Sequence, residues 1–217
     1  MERASKKTAR IIEDRALKTR QFFNTIAEHW DTLSREVLGG FDLAGAVCDP
    51  MPEGCDTSVD LGCGTGIVLE RMRGRARQII GVDGSPRMLE LSRRRLAGVE
   101  GEPEGVSLRI GELSHLPLRD CEADFASINM VLHHLSNPEN ALAEIRRVLR
   151  SGGLLVVADF DRHTQERMRL DYGDLWLGFD EATMSRLLHA ASFEVVSTAR
   201  YPVEQGLALN LTLARRL

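Results

Sequence analysis

From residue 57 onward, short apolar runs alternate with stretches in which apolar residues recur every three or four positions. The runs fall at 57–61, 78–82, 106–110, 124–130 and 154–160, and helical periodicity fills 67–73, 85–97 and 138–150. Runs of five to seven residues predict strands, and the longer periodic stretches predict helices. Asn137 followed by Pro138 is a good N-cap and first helical residue, and Ser151-Gly152-Gly153 ends that helix. Such alternation implies βαβ units and a parallel sheet covered on both faces. Ahead of this region, Phe22, Phe23, Ile26, Trp30, Leu33, Val37 and Leu38 sit at helical spacing until Gly39-Gly40. A looser segment, 41–55, follows. The end of the chain breaks the alternation. Asp180 caps a helix to about 191, and two strand-like runs, 193–201 and 207–215, are joined by a loop at 202–206 that suits a hairpin. A parallel crossover needs about a dozen residues, so the last strand is expected to be antiparallel. The whole is an α/β doubly wound, mostly parallel sheet of seven strands, with an N-terminal helical cap.

The chain has 217 residues, 43% hydrophobic and 28% charged, which suits one globular domain and excludes disorder, collagen and coiled coil. We expect a cap at 1–40 and one globular unit at 41–217. The longest apolar run, 154–158, cannot span a bilayer, and no apolar leader opens the chain, so a cytoplasmic protein is expected. Cys48, Cys55, Cys63 and Cys121 form no CxxC pair and have no metal-like spacing with the six His, so free thiols and no metal centre are expected. The net charge is −4, with seven Lys/Arg and three acids in residues 1–20. The remaining body is acidic, which argues against a nucleic-acid partner.

The strongest local signal is Val59-Asp60-Leu61-Gly62-Cys63-Gly64-Thr65-Gly66, at the end of the first strand and the opening of a helix. Ligands of open α/β sheets bind there, and glycines let them approach the backbone. The amides at the helix start are placed for an anionic group. A dinucleotide loop would need glycine at position 67, where Ile67 stands. A second strand ends at Asp83, whose carboxylate can accept from both hydroxyls of a ribose.

With these residues the chain resembles the class I S-adenosylmethionine-dependent methyltransferases, in particular a subset found alone or fused to winged-helix regulators. The likeness runs through four motifs in order: 59–66; Gly81-Val82-Asp83 with 85–89; 111–118; and 124–135. It implies that S-adenosylmethionine is the cofactor and S-adenosylhomocysteine the product. The backbone at Gly62, Cys63, Gly64 and Gly66 would line the methionine moiety, and Asp60 would reach its amino group. Asp83 would hold the ribose, with Gly84 allowing close approach. Met88 and Leu113 would sandwich adenine, Glu112 would accept from its amine, and Asn129 would sit beside the sulfonium.

The fourth motif reads Asn129-Met130-Val131-Leu132, without the Pro-Pro-Tyr of amino-methyltransferases acting on adenine or glutamine. His133 and His134 follow at the mouth of the site, and His163 follows the fifth strand. His134 and His163 are the candidate catalytic residues, able to accept a proton or orient a substrate. Phe23 and Trp30 from the cap, with Tyr172 and Trp176 from the segment after His163, are expected to close over the cofactor from two sides. The cysteine pair that arsenite methylation needs after residue 121 is missing. The expected function is methyl transfer to a small-molecule acceptor. The alternatives are a non-catalytic S-adenosylmethionine-binding regulatory module and a protein or RNA methyltransferase.

Overall fold

A computed structural model describes residues 15, 17–97 and 105–217. The basic start of the chain, 1–14, lies outside them. The helical elements are α1 (17–26), α2 (Trp30–Leu38), α3 (Leu43–Cys48), α4 (Ile67–Met72), α5 (Pro86–Ala97), α6 (Pro138–Val148), α7 (Arg167–Asp171) and α8 (Glu181–Ala190). The strands are β1 (Cys55–Leu61), β2 (Ala76–Asp83), β3 (Val106–Ile110), β4 (Ala123–Asn129), β5 (Leu149–Phe160), β6 (Phe193–Pro202) and β7 (Ala208–Arg216).

The seven strands form one sheet in the order β3-β2-β1-β4-β5-β7-β6. Only β7 is antiparallel, paired on both sides with strands running the other way. This is a Rossmann-like sheet, and its order reverses between β1 and β4. Alternate residues of the central strands feed two cores. Leu155 and Val157 of β5 pack with Ala141, Leu142 and Ile145 of α6 and Met184 and Leu188 of α8. Val156 and Ala158 face the other way, in the core that holds Val47 of α3, Leu69 and Met72 of α4 and Leu89 of α5. Strands buried on both faces explain why the runs read as continuous rather than alternating.

Local chemistry sets the helix ends. The Asn137 side chain accepts from the Asn140 amide at 3.1 Å, and Asp180 caps α8 through the Thr183 amide at 2.8 Å. The sequence pattern misses α3, which lies in the segment read as loose. It has only six residues, four of them buried, so it shows no polar face. Its cap is Asp42, which accepts from the Gly45 amide at 2.9 Å. A 3-10 turn at Ala27–His29 joins α1 to α2, where one uninterrupted helix was expected. All four cysteines are unpaired. Among the described residues no helix is long and apolar enough to cross a membrane.

Gly81, in β2, allows close approach of Leu69 from α4 and of Leu108 from the neighbouring strand β3. A Cβ there would lie 2.6 Å from Leu69 Cδ1 and 2.9 Å from Leu108 Cδ2. Gly81→Ala is therefore expected to destabilise the chain by about 1–3 kcal/mol through overpacking. The check is a lowered denaturation midpoint with an unchanged slope.

Candidate active site

At the carboxyl ends of β1, β2 and β4 the sheet opens into a cavity of about 600 Å³. It lies where the strand order reverses, the usual ligand position in such sheets. The turn after β1 requires glycine at two points. Gly62 has φ +71°, and a Cβ on it would stand 2.5 Å from Val131 Cγ2; Gly66 has φ +84° and would meet Ser92 Oγ at 2.4 Å. The loop's amides are largely spent on the protein itself. Gly62 and Cys63 both donate to the Val82 carbonyl, at 2.8 and 3.1 Å, and Gly66 donates to Cys63 at 2.9 Å. Gly64 donates to Asp83 Oδ2 at 2.9 Å. These four loop amides are consumed by the turn and its ties to β2.

Two acids border the cavity in different settings. Asp60 is 2% exposed, and its Oδ1 accepts from Ser127 Oγ at 2.6 Å and Asn129 Nδ2 at 3.0 Å, both on β4. Burial pushes its pKa up to about 7 against the pull of those hydrogen bonds. Asn129 Oδ1 is buried with no partner among the described residues. A buried acid without a cation, beside an unpartnered acceptor, is a wall suited to a positively charged ligand. Asp83 is partly buried and accepts from the amides of Gly64 and Ser85, one per oxygen, which leaves each oxygen a further lone pair. Burial raises its pKa, and those amides oppose the rise. Met88 lines the cavity from α5 and is fully buried, while Glu112 is exposed and lies 4.0 Å from Arg20.

The cap is fastened across this cavity. Trp30 lies over the glycine turn, and Phe23 meets it edge-on at 5.3 Å. Asp31 accepts from Thr65 Oγ1 at 2.6 Å and pairs with Arg95 of α5. Asn24 accepts from Ser85 Oγ and the Arg87 amide, both at 3.2 Å. These ties of Asn24 and Asp31 land on the loop after β1 and on α5 with its leading turn, while Arg20 reaches Glu112 after β3.

The cavity brings together Asp60, Gly62, Cys63, Gly64, Asp83, Gly84, Met88, Glu112, Leu113 and Asn129, with Phe23 and Trp30 of the cap and His134. Gly66 stands behind the turn, against α5. His163, Tyr172 and Trp176 do not line it. His163 Nδ1 accepts from the Gln165 amide at 3.2 Å, and its ring packs on Phe160. Trp176 lies on the surface and donates to the Leu135 carbonyl at 2.8 Å. Tyr172 borders a separate cavity of about 20 Å³ behind α2. The expected second lid therefore packs behind the site, because the Leu175 and Trp176 amides are tied to the His133 carbonyl.

Sequence reading missed two groups. Phe41 and Leu43, from the segment read as loose, form part of the cavity wall. A buried polar cluster also lies behind His134. His133 Nδ1 is 2.7 Å from Asp159 Oδ1, and Asp174 Oδ1 is 3.6 Å from His133 Nε2 and 3.8 Å from His134 Nδ1. Burial opposes protonation of His133, but Asp159 outweighs it and raises the pKa. Burial and His133 together push His134 well below the usual range, so its ring is neutral. His134 Nδ1 faces the Gly173 carbonyl at 3.3 Å, and its Nε2 is buried without a partner.

A methyltransferase-domain family model matches residues 59–157. A demethylmenaquinone methyltransferase of Desulfitobacterium hafniense is 28% identical over 90% of this chain and 81% of its own length. An uncharacterised 37.1 kDa protein of a Streptomyces fradiae transposon is 37% identical over 55% of this chain, which spans about a third (34%) of that protein. The fold is shared with an S-adenosylmethionine-dependent methyltransferase structure from Mesorhizobium loti. The two superpose with a TM-score of 0.67 at 19% identity, covering 81% of this chain and 99% of that one.

Asp60 carries a stability prediction for the free protein. Its folded pKa lies above the ordinary value of 3.8, so the folded chain binds more protons than the unfolded one between about pH 4 and 7. Stability is lost as pH rises through that window. Asp60→Asn keeps an acceptor for Ser127 and Asn129 without the charge. Its stability relative to wild type should therefore rise between pH 5 and pH 8, by on the order of 1–3 kcal/mol. Denaturant midpoints at the two pH values check this, and a pH-independent difference would contradict it.

Proposed function

Because this chain is a class I S-adenosylmethionine-dependent methyltransferase, we propose that it methylates a small, largely apolar, ring-bearing acceptor held under the N-terminal helices. The observation that carries this reading is the cavity itself. Its volume of about 600 Å³ falls in the range of small-molecule sites. Its wall is mostly apolar, with Phe23, Leu38, Phe41, Leu43, Val131 and Leu135, and it also carries polar groups such as Arg20, Arg35, Ser34 and Asn140. The likeness to a demethylmenaquinone methyltransferase supports a quinol-type acceptor, whose nucleophilic carbon or oxygen adjoins an aromatic ring.

S-adenosylmethionine supplies an electrophilic methyl group, so in-line displacement needs no nucleophile from the protein. The residues then have three tasks. Asp60 and the unpartnered Asn129 Oδ1 receive the cofactor's cationic end. Asp83 takes the ribose hydroxyls on its remaining lone pairs, between Met88 and Leu113 for the base. Phe23 and Trp30 exclude water and hold the acceptor, and His134, which lines the cavity, fixes the acceptor's polar group. Orientation of this kind can supply about 7–11 kcal/mol of barrier lowering.

The test is turnover of labelled S-adenosylmethionine with reduced demethylated naphthoquinones and related phenols. Release of S-adenosylhomocysteine with label in the small molecule is expected, and label transferred only to protein or RNA would overturn the proposal. His134→Ala should lower kcat on the order of 10²-fold, by misplacing the acceptor. Its affinity for S-adenosylhomocysteine should be nearly unchanged.

Asp83→Ala should weaken cofactor binding more than Glu112→Ala. Asp83 is partly buried and serves two hydroxyls, and hydrogen bonds to a charged group are worth roughly 1.5–3 kcal/mol each. Glu112 is exposed, where water competes. Calorimetric titration decides it: equal or reversed losses would move the ribose elsewhere.

A further inference from the structure

We infer that His133, His134 and Asp174 form a binding site for one divalent metal ion of the zinc class, directly behind the methyl-transfer cavity. The donor atoms of the three residues all lie within 4.8 Å of one another. The individual separations, 3.6 Å from Asp174 Oδ1 to His133 Nε2 and 3.8 Å to His134 Nδ1, are too long for hydrogen bonds. They are a few tenths of an ångström wider than the roughly 3.3–3.5 Å between neighbouring ligands of a tetrahedral zinc with bonds near 2.0–2.1 Å. All three residues are buried, at 2%, 4% and 3% exposure.

Two independent features point to a cation. Both carboxylate oxygens of Asp174 are buried without a hydrogen-bond partner among the described residues. An unpaired buried carboxylate is costly, and a coordinated metal is one of its standard solutions. The second feature is the orientation of His133. Its Nδ1 is engaged by Asp159 Oδ1 at 2.7 Å, which in a neutral ring leaves the lone pair of Nε2 facing the Asp174 oxygen. A metal ion that displaces the Nε2 proton would then sit between this nitrogen and the carboxylate oxygen. A carboxylate behind a histidine is also the arrangement that orients metal-binding imidazoles. The cavity of about 20 Å³ bordered by the three residues has room for one water, which would supply the fourth ligand.

The site would do two things. Asp174 belongs to the segment after β5, and His133 and His134 belong to the turn after β4, so the ion would staple one to the other. Metal on His134 Nδ1 would replace the proton that this nitrogen donates to the Gly173 carbonyl and leave the ring proton on Nε2. The first role is independent of the acceptor proposed above.

The experiment uses the tag-free 217-residue chain, dialysed against chelator and titrated with Zn²⁺ by calorimetry. Co²⁺ absorption serves as a second probe for four-coordinate geometry. One equivalent of each is expected, with slower hydrogen exchange at 167–176 when Zn²⁺ is bound. Asp159→Asn should weaken Zn²⁺ binding by roughly 10–100-fold. Asp174→Asn should weaken it further while retaining S-adenosylhomocysteine binding, which shows that the variant is folded. If that variant does not fold, Asp159→Asn and the chelator-dependent exchange decide the question. A wild-type chain that binds no stoichiometric metal, or variants that bind it as wild type does, would overturn the site; protonated His133 would then be the counter-ion of the two acids.

Discussion

The buried carboxylate of Asp60 is the constraint around which the rest of the molecule is arranged. It stands at the end of β1, where the strand order reverses, and is only 2% exposed. Ser127 and Asn129 reach it only because β4 runs parallel to β1, with Ser127 in register opposite Asp60. Removing this acid from water is opposed by desolvation, which the two hydrogen bonds offset in part. The arrangement is intelligible as a preformed place for positive charge. The free protein carries that cost, and a cationic ligand returns part of it.

The glycine turn follows from the same geometry. To keep Asp60 and Asn129 open to the cavity, the chain must leave β1 sharply and close against Val131 and Ser92, contacts that leave no room for side chains at Gly62 and Gly66. The turn is then held by the Val82 carbonyl and the Asp83 carboxylate, so β2 determines the shape of the loop that β1 begins. The same Asp83 faces the cavity. One side chain thus acts as both strut and cavity-facing acceptor, and its loss would affect both.

The cap completes the enclosure through ties to the elements beneath it. Asp31 reaches Thr65 and Arg95, and Asn24 reaches Ser85 and the Arg87 amide. These ties are partly exposed, and exposed ion pairs are individually weak. The aromatic contacts of Phe23 with Trp30 and with His134 add apolar burial.

Much of this was legible in the order of residues. Apolar runs buried on both faces, glycines at 62, 64 and 66, and carboxylates at 60 and 83 are local signals, because strand burial, positive φ and strand-end position each depend on near neighbours. They determined the sheet, the place of the cavity and the acids and glycines along its wall. Tertiary structure alone decided the rest. Short, buried α3 shows no polar face, so its contribution to the wall could not be read. His163, Tyr172 and Trp176 carry chemistry suited to a site, yet the bonds of Leu175 and Trp176 to the His133 carbonyl turn their segment behind the sheet's edge. Asp174 meets His133 and His134 from some forty residues away, through a crossing of loops that no local spacing encodes. Periodicity and turn chemistry record what a residue does among its neighbours; which distant groups share a dry pocket is set only when the loops pack.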